Sequence, residues 1–512
     1  MNFKQRELLV NFLIFIPVFL TISLFSLFSD ITDDEGIPLN AVLFMLKGGK
    51  IYEELFEFWG PFSFYINYPI LKFFPQNLLT VRIFTSFLIS IEILLLFQIS
   101  KEFLSSRNSK IMIFFFVLNL ITLKLIIPSL RWYTSFLNVF SIFFLINYIK
   151  NGKSLNLFLS GVFTGLNIFN MQNYGLFLAI STSIFLYFFL KSYKDTILYL
   201  LGVLLVTLFW STLLFFQGVL DDYIKNFHLI VLTGSYTQSQ WSYNNDWFNY
   251  LNIIKSTFLS IFILDIKKFW KIFITFFNFF MPIFTFILTP LFLEREKKII
   301  VLLLTSVFQY LSMLIQGPDV LRCFSFLPFS YVLFFKLVKK IPAVENLIIK
   351  NSLRVFVNFL FLYLILRALT HIHYVFTTKK SFLNLERAKV FVEEGEKKGY
   401  LELKKFLDEE VKDKKVFFLD NGAIFYFLFK VEIPVYRDFI EPNFPIEIQE
   451  RIIKDIKEKR IEYIIQKINL VYPKDWSKDK IFDYVIKNYN KIRVIKLKVG
   501  EIIEIYKLKN EA

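Results

Sequence analysis

The feature that most constrains this chain is the recurrence of apolar runs long enough to cross a bilayer. They fall at about residues 8–29, 78–99, 111–128, 132–149, 154–170, 173–190, 196–217, 270–293, 299–316, 320–338 and 353–375. A helix of roughly 20 apolar residues spans the ~30 Å hydrocarbon core, and no single water-soluble core could absorb so many. With 55% hydrophobic residues and 68 Phe in 512 residues, the composition agrees. The predicted fold class is an α-helical polytopic membrane protein of about eleven transmembrane helices. The N-terminal run begins after basic residues, as a signal peptide does. It is longer than a signal core and lacks a small-residue cleavage site, so it reads as a retained first span.

The formal charge is +16. Nucleic-acid binding would need a basic face interleaved with exposed aromatics, whereas here Lys and Arg sit in short loops between apolar runs. Alternation from a cytoplasmic N-terminus places Lys101, Arg107, Lys110, Lys150, Lys153, Lys191 and Lys194 inside, and with them the basic clusters at 295–298, 336–340 and 350–354. The expected location is the cytoplasmic (plasma) membrane, multi-pass. The same alternation puts outside a first loop at 30–77, a long loop at 218–269 and the tail. The single cysteine, Cys323, excludes an intramolecular disulfide and any Cys-rich metal site.

Two domains are expected: a transmembrane unit over 1–376 and an extracytoplasmic α/β domain over 377–512. In the tail, charges of both signs interleave with β-branched and aromatic residues. There "KKVFFLDNG" reads as a strand and turn, "IEIQERIIKDIKEKR" as a helix, "IEYIIQKI" as a strand and "IRVIKLKVGEIIEIYKL" as a hairpin about Gly500. No internal repeat supports an inverted-repeat transporter.

Directly after the first span comes "SDITDDEGIPLNAVLFMLKGGKIYEELFEFWGPFSFY". Asp34 and Glu35 hold adjacent carboxylates where a lipid-borne head group presents itself. Such a pair could deprotonate an acceptor hydroxyl, or hold a divalent cation, Mg2+ or Mn2+, over a phosphate. The plainer alternative is that Asp30, Asp33 and Asp34 cap the helix that follows.

The longer pattern resembles the first external loop of the GT-C membrane glycosyltransferases, in the branch of protein O-mannosyltransferases and the lipid A aminoarabinose transferase. The matching positions are Asp34 and Glu35, Gly48 or Gly49 with Tyr52, Gly60 with Pro61, and Arg82 on the second span. The resemblance implies transfer of a sugar from a polyprenyl-phosphate carrier to a glycan, lipid or protein acceptor on the external face, with Asp34 as base. Two departures leave the acceptor undefined. Trp59-Gly60-Pro61 stands where the aminoarabinose branch carries Lys-Pro-Pro, and no external loop is long enough for the β-trefoil domain of many O-mannosyltransferases.

Phosphate on such a donor needs cations. Arg131 and Arg322 stand at external span ends and Lys124 near another, although snorkelling to the interface would place such residues there too. Gln172 and Asn173 in the turn "FNMQNYG", and Trp241 in the aromatic loop "FHLIVLTGSYTQSQWSYNNDWFNY", could meet sugar hydroxyls and ring faces, but a short polar turn or an interfacial segment would use the same residues. Neither "GxxxxGK[ST]" nor a strand-borne "GxGxxG" occurs, so no nucleotide cofactor is indicated. Mid-span charges are few, Glu92 being the clearest, which matches a transporter or lipid flippase poorly. A non-catalytic membrane scaffold is the remaining alternative.

Overall fold

The computed structural model describes residues 3–123, 126–232, 278, 281–293, 296–316, 321–341, 347–411, 415–420, 422–438, 444–470, 479–498 and 500–509. Each of the eleven apolar runs carries a helix: α1 (Phe3–Ser26), α4 (Leu78–Lys101), α5 (Ser106–Ile121), α6 (Leu130–Asn151), α7 (Ser154–Ile168), α8 (Gln172–Ile184), α9 (Tyr193–Phe216), α11 (Met281–Phe292), α12 (Lys297–Gln316), α13 (Leu327–Val338) and α14 (Leu347–Thr378). Among the described residues six of them, α1, α4, α6, α9, α12 and α14, are long and apolar enough to cross a membrane. Helix α5 stops at Ile121, with Thr122 as its C-cap, rather than continuing to Pro128.

Among the described residues before α14, three short helices stand outside the spans: α2 (Asp33–Leu46), α3 (Phe62–Phe73) and α10 (Leu220–Phe227). After α14 the chain changes character. Strands β1 (Ser381–Leu383) and β2 (Val390–Val392) form a small antiparallel pair. Strands β3 (Val416–Asp420), β4 (Tyr463–Asn469), β5 (Tyr489–Lys498) and β6 (Glu501–Leu508) form a sheet in the order β3-β4-β6-β5. The β3–β4 pair is parallel, with Val416 opposite Tyr463, and the β5–β6 hairpin closes at Gly500, whose φ of +79° suits a residue without Cβ. Helices α15 (Glu394–Phe406), α16 (Ala423–Phe429), α17 (Ile446–Glu458) and α18 (Lys480–Asn488) complete this α/β part.

One buried apolar cluster runs through the first loop and the sheet, joining Leu39, Val42 and Tyr52 to Phe418, Ile424 and Phe425. The contact is close. A Cβ on Gly36 would lie 2.6 Å from the backbone nitrogen of Ile424, so only glycine lets α2 and the start of α16 approach this far. Polar groups fasten the same joint: Asp33 Oδ1 accepts from the Ile424 N–H at 3.0 Å, and Asn40 Nδ2 donates to the Ala423 carbonyl at 2.7 Å and to Asp438 Oδ2 at 2.8 Å.

Candidate active site

Helix α2 opens with three acids in succession, following the N-cap residue Thr32. Each successive residue of a helix turns by roughly 100°, so the three carboxyls leave in different directions. Asp33 does not cap its own helix; it reaches the amide of Ile424. Glu35 turns inward and is wholly buried. Arg82 of α4 meets it side-on, Nε donating to Oε2 at 3.0 Å and Nη2 to Oε1 at 2.6 Å. The guanidinium also donates to the carbonyls of Ser26, Ser29 and Asp30, so one arginine ties the end of α1 to the start of α2. Burial pushes the Glu35 carboxyl above its ordinary value, and Arg82 works against that shift.

Asp34 is the carboxylate that faces outward. Its side chain is 39% exposed, and Oδ2 accepts from Arg131 Nη1 at 2.7 Å. Arg131 stands in the first turn of α6. Further along that helix, Ser135 Oγ lies 2.8 Å from the Phe324 carbonyl and Asn138 Nδ2 donates to the Ser325 carbonyl at 3.1 Å. Trp132 stacks on Phe324 with ring centroids 4.0 Å apart. Those contacts hold the short 3-10 helix Leu321–Ser325, which carries the buried Arg322. Helix α6 therefore acts as a common rail for both sequence-predicted arginines.

The other expected residues sit in supporting places. Tyr52 is buried with a φ of +77°, its hydroxyl donating to the Trp59 carbonyl at 2.9 Å while its own carbonyl accepts from Asn226 at 3.0 Å. Gln172 is buried and donates to the Phe58 carbonyl at 2.7 Å, and Asn173 donates to Ser312 Oγ at 2.7 Å. Gly60 brings the first loop onto the same turn: a Cβ there would fall 2.1 Å from the Phe169 carbonyl oxygen. Lys124 and Trp241 lie outside the described residues.

A divalent ion requires several oxygens converging on one point. Here both oxygens of Glu35 are taken by Arg82, and Asp34 leans towards Arg131. Among the described residues no group of three His, Cys, Asp or Glu could share an ion. The expected Asp34 and Glu35 metal pair does not fit this arrangement, because helical rotation points the two carboxylates apart.

Behind the site lies a buried set that the sequence did not single out. Arg437 donates to the Phe56 carbonyl at 2.8 Å and lies 3.8 Å from Glu57 Oε2, with Asp438 beside it on Asn40. Burial pushes the Glu57 carboxyl up to about 8 and that of Asp438 up to about 6, against the pull of Arg437. Single acids among many, without periodicity, carried no sign of this in the sequence.

The fold defines a class: a helical bundle of membrane type with a loop packed on a small α/β part, an architecture it shares with solved membrane proteins. The structure of ArnT from Cupriavidus metallidurans in the apo state matches with a TM-score of 0.58 at 9% identity, over 96% of this chain and 97% of that one. The same protein bound to undecaprenyl phosphate matches at 0.55, with the same identity and coverage. The archaeal oligosaccharyltransferase AglB from Archaeoglobus fulgidus, in complex with an inhibitory peptide and a dolichol-phosphate, matches at 0.51 and 9% identity over 89% of this chain and 70% of that one. No protein-family model and no curated protein matches the sequence.

Proposed function

We propose that this chain is a membrane glycosyltransferase that moves a sugar from a polyprenyl-phosphate carrier to an acceptor hydroxyl on the extracytoplasmic face. The observation that carries the proposal is the half-open Asp34–Arg131 pair, a carboxylate and a fork-shaped cation side by side at the end of a span. The ArnT and AglB structures with lipid phosphates support the choice of donor.

In the resting arrangement Arg131 donates to Asp34. An arriving donor phosphate competes for the guanidinium, to which it can bind bidentately. The acceptor hydroxyl then gives its proton to Asp34 as its oxygen bonds to the anomeric carbon. The bond from that carbon to the phosphate oxygen breaks on the opposite side, the electron pair leaving with the lipid phosphate against Arg131 and Arg322. The product has inverted configuration. Glu35 acts at one remove, setting the start of α2 through Arg82.

The test is transfer of labelled sugar from a lipid-linked donor by the reconstituted protein. Asp34→Asn should lower transfer by roughly 100-fold or more with folding intact; undiminished turnover refutes the assignment. A cysteine placed at Asp33 should react with an impermeant thiol reagent on intact cells, and labelling only after lysis would overturn the external placement. If lipid-linked sugar crosses the bilayer without transfer to an acceptor, the chain is a flippase instead.

A further inference from the structure

Two buried ionisable residues stand on α4, and only the outer one has a task so far. Arg82 fixes Glu35; Glu92 lies about 15 Å of helix rise further along the span and is 1% exposed. Its partner is a hydroxyl. Ser135 Oγ of α6 lies 2.6 Å from Glu92 Oε1 and 2.8 Å from the Phe324 carbonyl oxygen. Both separations are hydrogen-bond lengths, yet a serine hydroxyl carries a single hydrogen. Given to Glu92, it would leave two oxygens in contact at Phe324 with no hydrogen between them. A carbonyl can only accept, so the serine hydrogen goes to Phe324 and the second comes from the carboxyl: Glu92 Oε1–H donates to Ser135 Oγ. The other carboxyl oxygen, Oε2, is buried without a hydrogen-bond partner. A neutral acid tolerates that arrangement far better than a bare carboxylate inside a span.

This relay ends on the segment that carries Arg322. Phe324 belongs to the 3-10 helix Leu321–Ser325, and Ser325 Oγ donates back to the Arg322 carbonyl at 3.0 Å. Its middle member, Ser135, stands one turn along α6 from Arg131, which pairs with Asp34. Glu92 therefore joins α4, α6 and the 3-10 helix, the three elements that bear Arg82, Arg131 and Arg322. Trp132 and Asn138 hold the 3-10 helix to α6. Glu92 adds α4, the helix whose Arg82 sets Glu35 and with it the start of α2.

We infer that Glu92 is a positioning residue for sugar transfer: as a neutral acid it holds, through Ser135, the Arg322 segment in register with Arg131. This inference rests on the proposed transferase reading, in which those two cations meet the donor phosphate.

Two readouts on the purified full chain in detergent test it. One is steady-state transfer from a lipid-linked sugar donor. The other needs no transfer: Cys323, the single cysteine of the chain, is buried between Arg322 and Phe324, so its rate of labelling by N-ethylmaleimide reports whether the segment is seated. Glu92→Leu and Ser135→Ala should each raise the KM for donor about fivefold, the worth of one hydrogen bond, and change kcat less. Both should speed Cys323 labelling by about the same factor. Glu92→Gln, whose amide N–H can donate to Ser135 Oγ, should match the wild type in both readouts. Ser135→Ala serves if Glu92→Leu fails to fold. A lower kcat at unchanged KM overturns the positioning role and leaves Glu92 as a packing residue. Glu92→Gln behaving like Glu92→Leu overturns the neutral relay, since a charge would then be what the site needs. Faster labelling in the Leu and Ala variants, reversed in Gln, from a wild type that transfers no sugar keeps the relay and sinks the transferase. Transfer with wild-type KM and labelling in all three variants does the reverse.

Discussion

Arg82 donates to both carboxylate oxygens of Glu35, at 3.0 and 2.6 Å, with neither side chain exposed to solvent. Removing one partner would strand the other charge in the interior. Glu35→Leu or Arg82→Met alone should each destabilise the protein by about 3–5 kcal/mol, whereas the double substitution should lose clearly less than the two added together. Denaturation in detergent of the four proteins checks this. Additive losses would show that the pair is not the unit that holds α1 to α2.

The Asp34–Arg131 pair is half-open, its side chains 39% and 16% exposed, and should behave in the opposite way. Asp34→Asn should move the unfolding midpoint little, since exposed pairs contribute about 0–1 kcal/mol. It should lower transfer by roughly 100-fold or more, as expected for loss of a general base. The informative measurement is the ratio of the two effects, and a variant that loses stability and activity together would make Asp34 a structural residue.

Arg131→Lys keeps the charge and loses the planar fork. If the guanidinium receives the donor phosphate, the KM for lipid-linked sugar should rise about tenfold, while kcat at saturating donor changes less. A fall in kcat with KM unchanged would place Arg131 in the chemical step alone.

Glu57 and Asp438 make the joint between the first loop and the sheet sensitive to pH. Both acids have raised values in the folded protein, Glu57 about 8 and Asp438 about 6, against 4.5 and 3.8 ordinarily. The folded state therefore holds protons that the unfolded state releases, and stability declines as pH climbs through this window. Glu57 should account for a loss of up to about 1.4 kcal/mol per pH unit between pH 4.5 and 8. Unfolding midpoints from pH 5 to 9 should slope downwards in the wild type and flatten in Glu57→Gln; parallel slopes would sink the attribution.

Gly36→Ala tests the joint sterically. The added methyl would meet the Ile424 backbone at 2.6 Å, which no rotamer change can relieve. A loss of about 1–3 kcal/mol is expected. Faster limited proteolysis after residue 378 should accompany it, because the sheet would no longer seat on α2. Unchanged cleavage would mean that the two parts tolerate separation.

Much of the architecture was legible from local pattern. Hydropathy places a helix in every apolar run because lipid and a buried bundle impose the same requirement, an unbroken backbone ladder with apolar side chains. Alternation and turn residues located β3, β4, α17 and the hairpin at Gly500, since strand and helix periods are properties of a few neighbouring residues. The small pair β1–β2 escaped notice: three-residue strands are too short to show a period. Of the candidate site, Asp34 and Arg131 were both marked by their position beside spans, and the structure joins them across 97 residues of chain.

What hydropathy and motif could not decide was the division of labour among three adjacent acids. Asp33, Asp34 and Glu35 are near equivalents as letters, each following the same span and opening the same helix. Folding assigns Asp33 to the Ile424 amide, Asp34 to Arg131 and Glu35 to Arg82, because each step along a helix turns the side chain by roughly 100° towards a different neighbour. Where those neighbours stand is set by packing between segments tens to hundreds of residues apart. Local composition therefore established a membrane bundle with an acidic loop, and the long-range contacts alone left one carboxylate exposed beside an arginine.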